Sequence, residues 1–220
     1  MQFLNETWIL LKKEAILEWR TKNSIQAIFI YALATVFVCY WALHKTEPEV
    51  WNAIFWIIMI FSSINAVAKS FMQESQARQL YLYTLASPGA IILSKLIFNS
   101  GIMTALSLSS LFLYSILLKF PVHHPYFYLI GVVMGGLNLA AIFTLLSAIA
   151  SRAGNSMTLM AIMGLPLLMP VLFLLIKFTS ASMGLDIQQG AGLKDLFMLI
   201  LFNLIIVSIS LLVFPYIWRD

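Results

Sequence analysis

Charge is scarce in this chain. Only 10% of its 220 residues are Asp, Glu, Lys or Arg, while 61% are hydrophobic and the mean hydropathy is +0.93. A soluble globular domain carries about 25% charged residues, so water is not the main solvent here. Cysteine is rarer still. Cys39 stands alone inside the first apolar run, which excludes an intrachain disulfide and any CxxC metal or redox motif. GxxxxGK[ST], HExxH and GxSxG are also missing, so the chain lacks a P-loop for ATP and these hydrolase signatures. Asp186 and Asp195 are too few and too far apart in sequence to form a catalytic carboxylate pair.

The apolar runs themselves are long. A spanning helix needs about 20 apolar residues, and six such runs are expected: 25–43, 50–68, 96–118, 126–150, 157–176 and 196–217. The fold class expected is all-α, a polytopic membrane protein with six transmembrane helices in one membrane domain over 1–220. As these spans are drawn, no ionisable residue falls in the apolar heart of any of them. That argues against a proton-coupled carrier and leaves no polar ring for an ion filter. Energy for transport then arrives from outside the chain.

The first twenty residues mix acids and bases and do not read as a cleaved signal. Leu4, Trp8, Leu11, Ala15 and Trp19 recur at helical spacing, with Glu6, Lys12, Lys13, Glu18 and Arg20 mostly away from them. Residues 1–22 are therefore expected to be an amphipathic helix in the membrane interface, anchored in lipid by Trp8 and Trp19. A short cytosolic helix packed on other protein is the alternative. Lys12, Lys13, Arg20, Lys22, Lys69, Arg78, Lys95, Arg152 and Arg219 fall on one side of the spans. Lys45, Lys119, Lys177 and Lys194 fall on the other. The basic excess puts both termini in the cytoplasm.

Asn65, Asn99, Asn138 and Asn203 lie within spans, where each is expected to hydrogen-bond across helices, lining a substrate path being the alternative. In the fifth run, Gly164, Pro166 and Pro170 predict a kinked or broken helix, because each proline removes a backbone donor and crowds the preceding turn. His123 and His124 precede Pro125 in an outer connection. Histidine ligates haem iron, yet adjacent loop residues rarely converge on one ion, and an interfacial turn explains them equally.

Between the second and third runs lies QESQARQLYLYTLASPGAIILSK, Gln73 to Lys95. Glu74 and Arg78 are four apart, which suits an ion pair along a helix. Leu80, Leu82 and Leu85 follow, then Ser87-Pro88-Gly89 makes a turn and Lys95 marks the return to the membrane. A surface helix is expected over 73–89. It is either merely interfacial or a docking element for a cytosolic partner, and its length exceeds the usual helix–helix connection.

Two segments carry a family likeness. Phe71 to Lys95 holds a Phe, an acidic residue, the leucine-rich LYTLASP and an apolar pair before Ser-Lys; Leu165 to Leu175 reads LPLLMPVLFLL. In their order and spacing, over nearly the whole chain, they resemble the haem exporter protein B (CcmB) family of ABC-2 type permeases. One departure stands out: Ala77-Arg78-Gln79 occupies the place where the family commonly has a glycine.

The resemblance implies a permease subunit, not itself an enzyme, in a haem export and cytochrome c maturation complex of the bacterial inner membrane. It implies a cytosolic ABC ATPase contacting Glu74, Arg78, Leu80, Leu82, Leu85, Ser87 and Pro88. It also implies other maturation membrane proteins, a haem chaperone, and a second permease half (a copy or a partner). Haem would be cargo, not a resident cofactor, and no nucleic acid is involved. An ABC-2 permease for a glycan, lipid or drug is the alternative, followed by a non-transporting assembly scaffold.

Overall fold

The computed structural model describes residues 2–21, 23–42, 47–67, 71, 86–151, 156–184 and 191–219. Among them every regular element is a helix: α1 (Gln2–Thr21), α2 (Asn23–Ala42), α3 (Pro48–Val67), α4 (Pro88–Leu117), α5 (Pro125–Ala150), α6 (Ser156–Ser182) and α7 (Ala191–Arg219). All-helical construction follows from the solvent. In hydrocarbon a helix satisfies its own backbone donors and acceptors, which an open strand cannot do. Five helices, α3 to α7, are long and apolar enough to cross a membrane. The apolar part of α2, Ile28–Ala42, is shorter.

α5 is the central helix. It is apolar all round and buried along most of its length, as a core helix must be. It packs chiefly on α4 and α6, and also on α7 and α3. Small residues allow the close approach. A Cβ on Gly131 would meet Phe178 and Thr179 of α6, one on Gly135 would run into the Trp56 indole of α3, and one on Gly136 would press on the Met103 backbone of α4.

The start of α4 differs from the span expected. The Ser87-Pro88-Gly89 turn is instead the beginning of α4, with Ser87 as N-cap and Pro88 in the first turn. Proline suits that position because its missing N–H has no intrahelical partner there and its φ is preset. α4 is therefore 30 residues long, about 45 Å at 1.5 Å per residue. That exceeds the roughly 30 Å hydrocarbon core, so its first turns project beyond it. In α6 the helix is unbroken through Pro166 and Pro170.

The helix ends define two faces. At one lie the start of α3, the α4–α5 connection and the end of α6, where the His124 N–H donates to the Ser182 carbonyl at 3.0 Å. At the other lie α1, the start of α4, Phe71 and the end of α7, where Phe71 and Phe214 rings sit 5.5 Å apart.

Candidate coupling site at the foot of α4

α1 presents its acids to the protein and its apolar side chains outward. Leu4, Trp8, Ile9 and Ile16 are exposed, Trp8 at 67%, whereas Leu10 and Thr7 are buried. The expected apolar stripe through Leu4 and Trp8 is thus the outer face, as an interfacial helix requires. Trp19 lies in the same helix.

On the inner face two carboxylates reach α4. The Glu6 Oε2 accepts the Ser87 hydroxyl at 2.8 Å and the Ser87 backbone N–H at 3.2 Å. That places a negative charge at the start of α4, where the helix dipole favours it and orphan N–H groups need acceptors. One stretch further on, the Lys95 Nζ lies 3.4 Å from the Glu14 Oε1. Both links join residues 81 apart in sequence. α1 and the first turns of α4 consequently run parallel and in register, each advancing about 12 Å between the two links.

Lys95 is only 1% exposed. Its ammonium is therefore enclosed by protein, near the start of α4, and that enclosure is not legible in the sequence. A buried ammonium needs an anion and further partners. Glu14 supplies the anion, and the Phe71 ring lies beneath the ammonium, 4.8 Å from centroid to Nζ. Phe71 in turn packs on Phe214 of α7. The two ends of the segment Phe71 to Lys95 therefore meet at one point, joined to α1, α4 and α7.

Of the residues expected at this site, Ser87 and Pro88 are where the contact begins. Glu74, Arg78, Leu80, Leu82 and Leu85 lie outside the described residues. Glu6 and Glu14 were missed. Their spacing of eight matches that from Ser87 to Lys95, yet nothing in the sequence alone announces which acid faces which partner.

At the opposite face, α3, α5 and α6 are locked by Asn52, again not among the asparagines singled out. Its amide donates to the Ile176 carbonyl at 3.2 Å and to the Ser180 hydroxyl at 3.1 Å, and its Oδ1 accepts from the Tyr128 hydroxyl at 3.2 Å. The Trp56 indole N–H donates to Thr179 Oγ1, 3.1 Å away. Trp51, Phe55, Tyr114 and Phe120 pack around Tyr128 or one another, and the Tyr114 hydroxyl donates to the Trp51 carbonyl at 3.0 Å.

The named asparagines divide. Asn99 donates across to Thr144 Oγ1 at 2.9 Å, and Asn138 reaches the Leu199 carbonyl at 3.3 Å. Asn65 bonds the Phe61 carbonyl of its own helix, as Asn138 also does with Met134. Lys177 of α6 pairs with the buried Asp195 of α7 at 3.2 Å. Like Lys95, both lie near a helix end. Gly164 packs on Leu146, while Pro166 and Pro170 face outward.

His123 and His124 are exposed and have different neighbours. The His123 ring lies against Gly184, whose positive φ of 77° suits glycine. The His124 ring lies edge-on to Phe127, centroids 6.5 Å apart. Among the described residues no group of three His, Cys, Asp or Glu side chains is gathered for a metal.

No curated protein matches the chain. The CcmB protein family model matches residues 5–216, from the first turn of α1 to the last turn of α7. This multi-pass membrane chain belongs to the CcmB protein family.

Proposed function

We propose that this permease component of the haem-export system of c-type cytochrome maturation is driven by a separate cytosolic ATPase, which engages the connection between α3 and α4. The supporting observation is the contact between Phe71 and Lys95. Both ends of that connection are tied at one foot, so a push on it is delivered to α4 through Lys95, to α1 through Glu14 and to α7 through Phe214. Glu74 and Arg78 are the polar contacts with the ATPase, and Leu80, Leu82 and Leu85 anchor the segment.

The chain then sits in the bacterial inner membrane with both termini cytoplasmic, α2 completing six spans. A second permease half completes the unit, with other maturation proteins and a haem chaperone around it. A bend at Gly164, Pro166 and Pro170 lets α6 follow the stroke through its packing on α5. ATP-driven motion either moves haem across or frees a haem-loaded chaperone from a neighbouring subunit.

Charge reversal at Glu74 and Arg78 together tests the docking. Loss of ATPase co-purification and of mature c-type cytochrome is expected while this chain's level holds. Unchanged co-purification and cytochrome levels would sink the docking role.

A further inference from the structure

We infer that Glu6 and Glu14 are positioning residues that lock α1 to the first turns of α4, so that surface helix and span move as one lever. The inference rests on the coupling reading above and assigns the parts that make it stiff. Three contacts along one seam carry it. The Phe3 ring fills the space over Gly89, where a Cβ would lie 3.2 Å from Cε2. Glu6 holds both polar groups of Ser87, and Glu14 holds the buried Lys95. A single link would be a pivot. Two polar links at equal sequence offset, with an aromatic contact beside the first, remove rotation as well as sliding.

The chemistry at the two ends differs usefully. The Glu6 link is a charge-assisted bond to a helix N-terminus, which keeps the carboxylate aimed along the α4 axis. The Glu14 link neutralises an ammonium that water barely reaches, so sliding α1 would strand a buried charge. Buried ion pairs are best attested as devices that set register. Here the register set is that of α1 on α4, and the Phe71 ring against the same ammonium ties it to the start of the coupling connection.

The test uses the full chain in its native membranes, with Cys39→Ser as background. Glu14→Gln and Lys95→Met should each lower mature cytochrome c by about fivefold or more, the usual lower bound for a coupling effect. Protein level and ATPase co-purification should hold, and Lys95→Arg should retain output. Phe3→Cys with Gly89→Cys, joined by a short bis-thiosulfonate, should bridge α1 to α4, keep output, and restore it in the Glu14→Gln chain. A bridge that fails to form, or that stops output until it is reduced, overturns the inference. So does full output from both single variants. Should either single variant fail to accumulate, the bridge alone decides. ATPase co-purification is scored on the unsubstituted chain too. Its absence there faults the coupling reading, whereas the bridge reports the register independently.

Discussion

The Lys95 ammonium lies 4.8 Å from the centre of the Phe71 ring, although more than twenty residues of connecting chain separate them. Glu14 closes on the same ammonium from α1 at 3.4 Å. A cation over a ring gains more when it is desolvated, and this one is almost wholly buried.

That geometry ranks two lysines that look alike on paper. Lys13 and Lys95 both lie 3.4 Å from the Glu14 carboxylate, but their side chains are 28% and 2% exposed. Lys13→Met should cost less than about 1 kcal/mol, as exposed pairs do. Glu14→Ala should cost about 2–3 kcal/mol, because it strands Lys95; Glu14 keeps some solvent, so the full buried-pair penalty is not reached. Thermal unfolding in detergent measures the difference.

Gly135 should tolerate no side chain. Gly135→Ala drives a methyl into the Trp56 indole and is expected to cost about 1–3 kcal/mol or more. Gly101→Ala on α4, where nothing lies within 4 Å, should be neutral or stabilise by up to about 1 kcal/mol. The two melting temperatures should move in opposite directions or differ by several degrees.

Asn52 should matter more than any asparagine in the middle of a span. Asn52→Ala removes partners from Tyr128, Ser180 and Thr179 together, at up to about 2 kcal/mol. Tyr128→Phe removes one of these bonds and should cost about 0.6 kcal/mol. Because the residues share a network, the double variant should fall short of the sum.

A reporter fused after Lys119 should read as outside the cytoplasm, since basic residues concentrate on the opposite side. A cytoplasmic reading there would reverse the topology and remove the coupling site from the ATPase.

His123→Ala with His124→Ala should leave cytochrome c output intact at equal protein level. Their rings lie against Gly184 and Phe127, respectively, and the connection is held by the His124 backbone N–H, which alanine keeps. Lost output would instead assign these rings a role with haem.

Much was legible without coordinates because it depends on local composition. Long apolar runs dictate helices where no water can serve the backbone, and the alternation of Trp8 and Leu4 with charge marks α1 as amphipathic. The order of short motifs from Phe71 to Lys95 pointed to the family that the match over residues 5–216 shows. What composition could not decide was partner choice. Apolar runs do not say where a helix begins when its first turns leave the membrane, so α4 starts at Pro88 and not near Leu96. Nor could they say that Glu6 would meet Ser87 and Glu14 meet Lys95, since each carboxylate finds its donor only once α1 lies along α4. A lone lysine between apolar residues reads as a boundary in sequence. Only tertiary packing makes it the buried pin at the base of the coupling connection.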